Sequence, residues 1–144
     1  DNITFLFSAS KGIEPKELKK VASGGEFSRL LLCTKYLIAD KTALPTIIFD
    51  EIDSGISGEI AIKVGNMMQQ MSQNHQLFTI SHLPQIAARG TAHYFVYKDN
   101  TNEKAVSRIK KLTNDERIAE IAQMIGGEKP SSAVLQNARE MLAV

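Results

Sequence analysis

Thr46 to Phe49 form an unbroken run of apolar or β-branched residues that leads directly into two acids, Asp50 and Glu51. A run of this length predicts a strand buried on both faces, as in a parallel sheet. Upstream, Phe27, Leu30, Leu31, Tyr36, Leu37 and Ile38 fit a largely buried helix. Ser23, with Glu26 three residues on, makes a capping-box pair where that helix should start. Downstream, the polar loop Asp53 to Gly58 is followed by Ile60, Ala61, Val64, Met67, Met68 and Met71 at helical spacing. Ser57 is placed to cap this second helix, and its methionines read as core filler. Gln76 to Ile80 predicts another short strand, ending in Ser81-His82-Leu83-Pro84, and Gln85 to Arg89 a short helix.

The flanks have different periods. Ile3 to Ala9 reads as a strand with Ile3, Phe5 and Phe7 on one face, and Ser10 to Lys20 as a polar connector broken by Gly12 and Pro15. Lys16, Lys19 and Lys20 in that connector read as a solvated face, with a phosphate or DNA contact as the alternative. In the last third, His93 to Lys98 and Lys104 to Leu112 predict an antiparallel pair joined by the turn 99–102. Arg108, Lys110 and Lys111 make a modest basic strip there. Asn114 or Asp115 should cap a helix with Ile118, Ile121, Ala122 and Ile125 on one face, stopped by Gly126-Gly127. A final helix, Ser131 to Leu142, follows Pro130. The order of elements predicts an α/β fold: a mainly parallel sheet with flanking helices, then an antiparallel pair and two helices.

Composition narrows the class without changing that picture. The chain has 144 residues, 43% of them hydrophobic and 23% charged, with a net charge of +1. That predicts one globular domain over residues 1–144, with no field strong enough to announce nucleic acid or membrane. Cys33 stands alone among leucines, so it reads as a small core residue in a protein of a reducing cytosol. No apolar run is long enough to span a bilayer and no signal peptide is evident, which predicts no membrane partner. The chain starts at Asp1 and enters ITFLF at once, the expectation for a piece of a longer protein.

The candidate chemistry sits at strand ends. Ligands of open α/β sheets lie at the carboxyl ends of the strands, where Asp50, Glu51 and His82 fall. Beside a Mg²⁺-nucleotide, one acid can hold the metal and the other can orient or deprotonate a water. His82 can touch a phosphate there. The alternative is an acidic surface turn with a structural histidine. Ser23-Gly24-Gly25-Glu26 offers free N–H groups and the positive end of a helix dipole to an anion, or it is a well-capped helix and nothing more. No repeats or low-complexity tracts appear, and no metal-spaced Cys/His cluster.

Taken in order, these motifs resemble the second half of an ABC-type ATPase head. VASGGEFSRL, IIFDEIDSGISG and TISHLPQIAA are similar to the RecN family of bacterial DNA repair proteins, relatives of the SMC (structural maintenance of chromosomes) proteins. The match extends to FLFSAS near the start and ERIAEIAQMIGG near the end. The resemblance implies a C-terminal head lobe. Ser23, Gly24, Gly25 and Glu26 would be the signature motif that reaches the γ-phosphate of ATP held by an opposite head. Asp50 would be the Walker B acid acting on Mg²⁺ through water, and Glu51 the catalytic base. Ser54 to Ser57, with Gly55 between them, would be the loop at the dimer seam, and His82 the switch histidine sensing the γ-phosphate. Two departures are visible: Glu26 stands where many ABC proteins have Gln, and Ser57 where the common seam pattern has Asp, although Asp53 is close by.

One motif is missing. No G-x-x-x-x-G-K-S/T occurs in the chain, although that loop makes most of the contacts to the β- and γ-phosphates. In RecN-like proteins it lies in an N-terminal lobe, separated by a long antiparallel coiled coil. The expected partners are therefore that lobe, a second head across an ATP sandwich and, for the whole protein, DNA. The expected setting is the bacterial cytoplasm and nucleoid. The isolated chain should neither bind ATP tightly nor hydrolyse it. Two other readings are a transporter nucleotide-binding domain, which usually continues Asp-Glu with Pro-Thr, and a scaffold module that keeps the fold without the chemistry.

Overall fold

The computed structural model describes residues 3–8, 11–18, 24–42, 44–50, 52–99 and 105–143. Lys19, Lys20, Ser23 and Glu51 lie outside the described residues, as do the side chain of Glu26 and residues 100–104. The elements are β1 (Leu6–Phe7), β2 (Lys16–Glu17), α1 (Gly24–Thr42), β3 (Thr46–Asp50), α2 (Gly58–Met71), β4 (Gln76–Ile80), α3 (Pro84–Ala87), β5 (Tyr94–Asp99), β6 (Val106–Lys111), α4 (Asn114–Gly126) and α5 (Ser132–Leu142). Among the described residues they make three two-stranded sheets: β1–β2, β3–β4 and β5–β6. β3 and β4 are parallel and in register from Thr46 opposite Gln76 to Asp50 opposite Ile80. The helix α2 is their crossover, as a parallel pair requires.

The main core fills the space between α1, one face of β3, and α2. Leu32 and Ala39 of α1 meet Ile47 and Phe49 of β3, Ala61, Val64, Met68 and Met71 of α2, and Ile86 of α3. Met68 and Met71 are buried, as the sequence predicts. Lys35 holds its ammonium 5.3 Å from the centre of the Phe49 ring. A second, smaller core joins α3, α4 and α5 through Ala88, Ile121, Ala122 and Ala138. Arg117 donates to the carbonyl of Gly90 at 2.6 Å, and His93 Nε2 donates to that of Ala87 at 2.8 Å, so the loop after α3 is tied down on two sides. Burial, with the Arg117 cation adding to it, lowers the His93 pKa below its usual value.

Several expectations are corrected. β3 is buried on one face only: Ile47 and Phe49 point inward while Ile48 is 62% exposed. Residues of α1 expected in the core, Phe27, Leu31, Leu37 and Ile38, are exposed, and Cys33 is exposed with them. The first strand is short, and its partner β2 lies inside the stretch read as a connector. Thr113, not Asn114 or Asp115, caps α4, in a reciprocal capping box with Glu116. Ser57 occupies the cap position of α2 but makes no side-chain capping bond.

Candidate functional site

The carboxyl ends of β3 and β4 lie side by side because the strands are parallel and in register. Asp50 is the last residue of β3, exposed, and opposite Ile80, two residues before His82. Of the residues picked out in sequence, this pairing brings Asp50 and His82 to one end of the sheet. Gly24 and Gly25 open α1, whose next turn reaches the same region. Ser28 and Lys35 of α1 share with Ile48 and Asp50 a recess of about 110 Å³.

Between β3 and α2, the loop folds on Asp53. Its carbonyl accepts the Ile56 N–H at 3.2 Å, closing a tight turn. Gly55 takes φ +72 in that turn, a left-handed conformation that glycine adopts without steric cost. Ile52 and Ile56, each 7% exposed, pin the loop to the core on either side. Ser54, Gly55 and Ser57 are left on the outer side, exposed.

The Asp53 side chain is fully buried, at 0% exposure. Its Oδ2 accepts the Ser81 hydroxyl at 2.6 Å and the His82 backbone N–H at 3.0 Å. His82 Nδ1 lies 3.3 Å from the same oxygen, while the His82 side chain is 67% exposed. Ser81 Oγ in turn accepts the Leu83 N–H at 3.1 Å, and Pro84 begins α3 directly after. The turn carrying His82 is thus held by one carboxyl group through the Ser81 hydroxyl and the His82 backbone, with the ring Nδ1 close to the same oxygen. An exposed imidazole whose Nδ1 side faces a carboxylate is suited to meet an anion at Nε2 or to pass a proton.

Sequence reasoning singled out His82 and missed its anchor. Asp53 sits among serines and glycines, a setting that reads as a solvated turn. The available signal was the pairing of an acid after one strand with Ser-His after the next.

No family model matches the chain. Relatives are nonetheless clear. The chain is 42% identical over 142 residues to the DNA repair protein RecN of Deinococcus radiodurans, 39% to that of Haemophilus influenzae and 37% to that of Bacillus subtilis, with 99% of the chain aligned each time. It spans only a quarter of the length of these curated relatives, 25% in each case. Among solved structures, one from work on ATP-driven dimerization and DNA-stimulated activation of SMC ATPases superposes with a TM-score of 0.61. It is 19% identical and covers 82% of this chain and 70% of its own. The Pyrococcus furiosus Smc head domain, solved with the C-terminal domain of ScpA, gives a TM-score of 0.57 at 19% identity, over 80% of this chain and 28% of its own. The fold is that of an SMC-type ATPase head lobe, an α/β fold as the order of elements predicts.

Proposed function

The chain fits a C-terminal fragment of a RecN protein, and from that premise we propose that it is the second lobe of an ATP-driven head acting in bacterial DNA repair. The observation that carries this reading is the parallel pair β3–β4, which ends in Asp50 on one strand and leads to the anchored His82 on the other.

Asp50 would hold Mg²⁺, which neutralises phosphate charge when bound. A single exposed carboxylate fits that share of the work, because Mg²⁺ on a nucleotide keeps several waters and takes phosphate oxygens. Among the described residues no cluster of three or more His, Cys, Asp or Glu side chains offers a self-sufficient metal site. Glu51, directly after Asp50, would orient and deprotonate the attacking water, and His82 would hold the γ-phosphate through Nε2. Gly24, Gly25 and Glu26, at the start of a 19-residue helix, would meet ATP carried by a second head together with Ser23, which precedes them in the sequence. Ser54, Gly55 and Ser57 would lie at the seam between the heads.

The grip on the β- and γ-phosphates would come from an N-terminal lobe. The exposed apolar face of Ile48, Phe78 and Ile80 on β3–β4 gives that lobe a surface to cover. Two heads would enclose two ATP molecules and separate after hydrolysis, so ATP would control how the attached coiled-coil arms hold DNA. The setting would be the cytoplasm, at the nucleoid. Among the described residues no helix is long and apolar enough to cross a membrane.

Glu51→Gln in the full-length protein tests the catalytic assignment. Turnover should fall about a hundredfold or more, the usual share of a general base, while ATP-driven dimers persist on gel filtration. Unchanged turnover would remove Glu51 from that role. Ser23→Arg should abolish the ATP-driven dimer, since a cation placed at the helix start blocks the approach of the Mg²⁺-nucleotide. A dimer that survives would count against the signature assignment.

A further inference from the structure

Burying a carboxyl group costs free energy unless its oxygens are paired. Asp53 is buried completely, and although Oδ2 is well supplied with donors, Oδ1 has no hydrogen-bond partner among the described residues. A loop brace alone does not require this. A serine or asparagine oxygen in the same place would accept the Ser81 and His82 donors with less to desolvate. What a carboxylate adds is negative charge, and the group facing it is the His82 ring, with Nδ1 3.3 Å from Oδ2.

We infer that Asp53 is a positioning residue: it fixes the His82 imidazole with a proton on Nδ1 and ties the Ser54–Ser57 loop to the turn that carries His82. The placement stands on geometry alone; its consequence for turnover rests on the role proposed above for His82. An ionised carboxylate only accepts hydrogen bonds, so its contact with Nδ1 is attractive when Nδ1 bears hydrogen. That leaves Nε2 as the nitrogen free to face a ligand. A phosphate oxygen is also an acceptor, so a hydrogen bond to it from Nε2 requires the doubly protonated ring, whose positive charge Asp53 balances from behind.

Asp53 also links two loops by its place in the chain. Its carbonyl closes the turn to Ile56 while its side chain grips the Ser81-His82 backbone and hydroxyl. The loop between β3 and α2 therefore cannot shift without pulling on the His82 turn. If Ser54, Gly55 and Ser57 meet a second head, pairing of the heads and placement of the imidazole become one event.

Two measurements test this. The first uses the chain itself: two-bond ¹H–¹⁵N correlations identify which nitrogen of neutral His82 carries the proton. Wild type should show Nδ1–H, whereas a free imidazole favours Nε2–H, and Asp53→Ala should revert to Nε2–H. Nε2–H in wild type would overturn the inference, and that spectrum decides the point even if the alanine variant does not fold. The second uses the full-length protein. Asp53→Ala should lower kcat about tenfold, the usual cost of losing the group that orients a functional ligand, with KM little changed. It should cause no further loss in a His82→Ala background. Losses that multiply in the double variant would show that Asp53 does not act through His82. If His82→Ala leaves kcat unchanged, the role proposed for His82 fails, and with it the link to turnover. The tautomer in the isolated chain still judges the placement.

Discussion

At the residue scale, the start of α4 shows how much local chemistry rests on single side chains. Glu116 accepts the Thr113 N–H at 2.8 Å and also bonds Lys110 on the neighbouring strand β6. Those contacts, Lys110 first, hold its carboxyl down at about 2 from a usual 4.5. A depressed carboxyl stabilises the fold above the unfolded value and loses that contribution as pH falls toward the folded one. The urea midpoint of wild type should therefore exceed that of Glu116→Gln at neutral pH, and the two should converge between pH 4.5 and 2. Ile121 tests packing: it is fully buried, and Ile121→Ala should cost about 3 kcal/mol with an unchanged denaturant slope. The Thr113–Glu116 capping box is legible in the sequence, but Asn114 and Asp115 beside it are equally good cap residues by type and compete with it. The burial of Asp53 was not legible, because it depends on Ser81 and His82, which reach it only once β3 and β4 pair. His93 belongs to this scale too. Its pKa is lowered by burial and by Arg117, so protonation below the usual 6.5 weakens the fold instead of supporting it.

At the scale of elements, the boundaries of β3, β4, β5 and β6 follow the apolar pattern closely, as do α2, α4 and α5. The sequence could not convey which faces are covered. An apolar strand reads the same whether its cover comes from its own chain or from another polypeptide, so Thr46 to Phe49 predicts double burial where Ile48 stands open. The outer stripe of α1 misleads in the same way, and Cys33 with it. The β1–β2 pair escapes prediction because Lys16–Glu17 carries no apolar signal at all. The exposed face makes its own prediction. Ile48→Ser should cost less than about 0.5 kcal/mol in the isolated chain, as surface changes do. In the full-length protein it should cost about 2 kcal/mol if the N-terminal lobe buries that side chain. Urea unfolding of both proteins would measure the difference, and equal small costs would mean the face stays open.

At the scale of the molecule, the chain leaves large apolar side chains in water on most of its elements. Ile3 is 81% exposed, Phe5 74%, Leu37 70%, Ile109 70% and Ile80 59%. Exposed apolar area of this kind, next to two-stranded sheets with unpaired edges, marks surfaces that associate. Sedimentation should show the isolated chain self-associating with concentration, and a separately produced N-terminal lobe should suppress this by occupying the same faces. On the proposed reading the site divides in the same way: Asp50, Glu51 and His82 would come from this chain, and the phosphate-gripping loop, whose motif is absent from the sequence, from an N-terminal lobe. The direct measurement is therefore titration with a fluorescent ATP analogue, first of this chain alone and then of its mixture with the N-terminal lobe. Alone, the chain should show no micromolar binding and no turnover, and the mixture should show both. Micromolar affinity or hydrolysis by the isolated chain would overturn its assignment as the second lobe of a divided site.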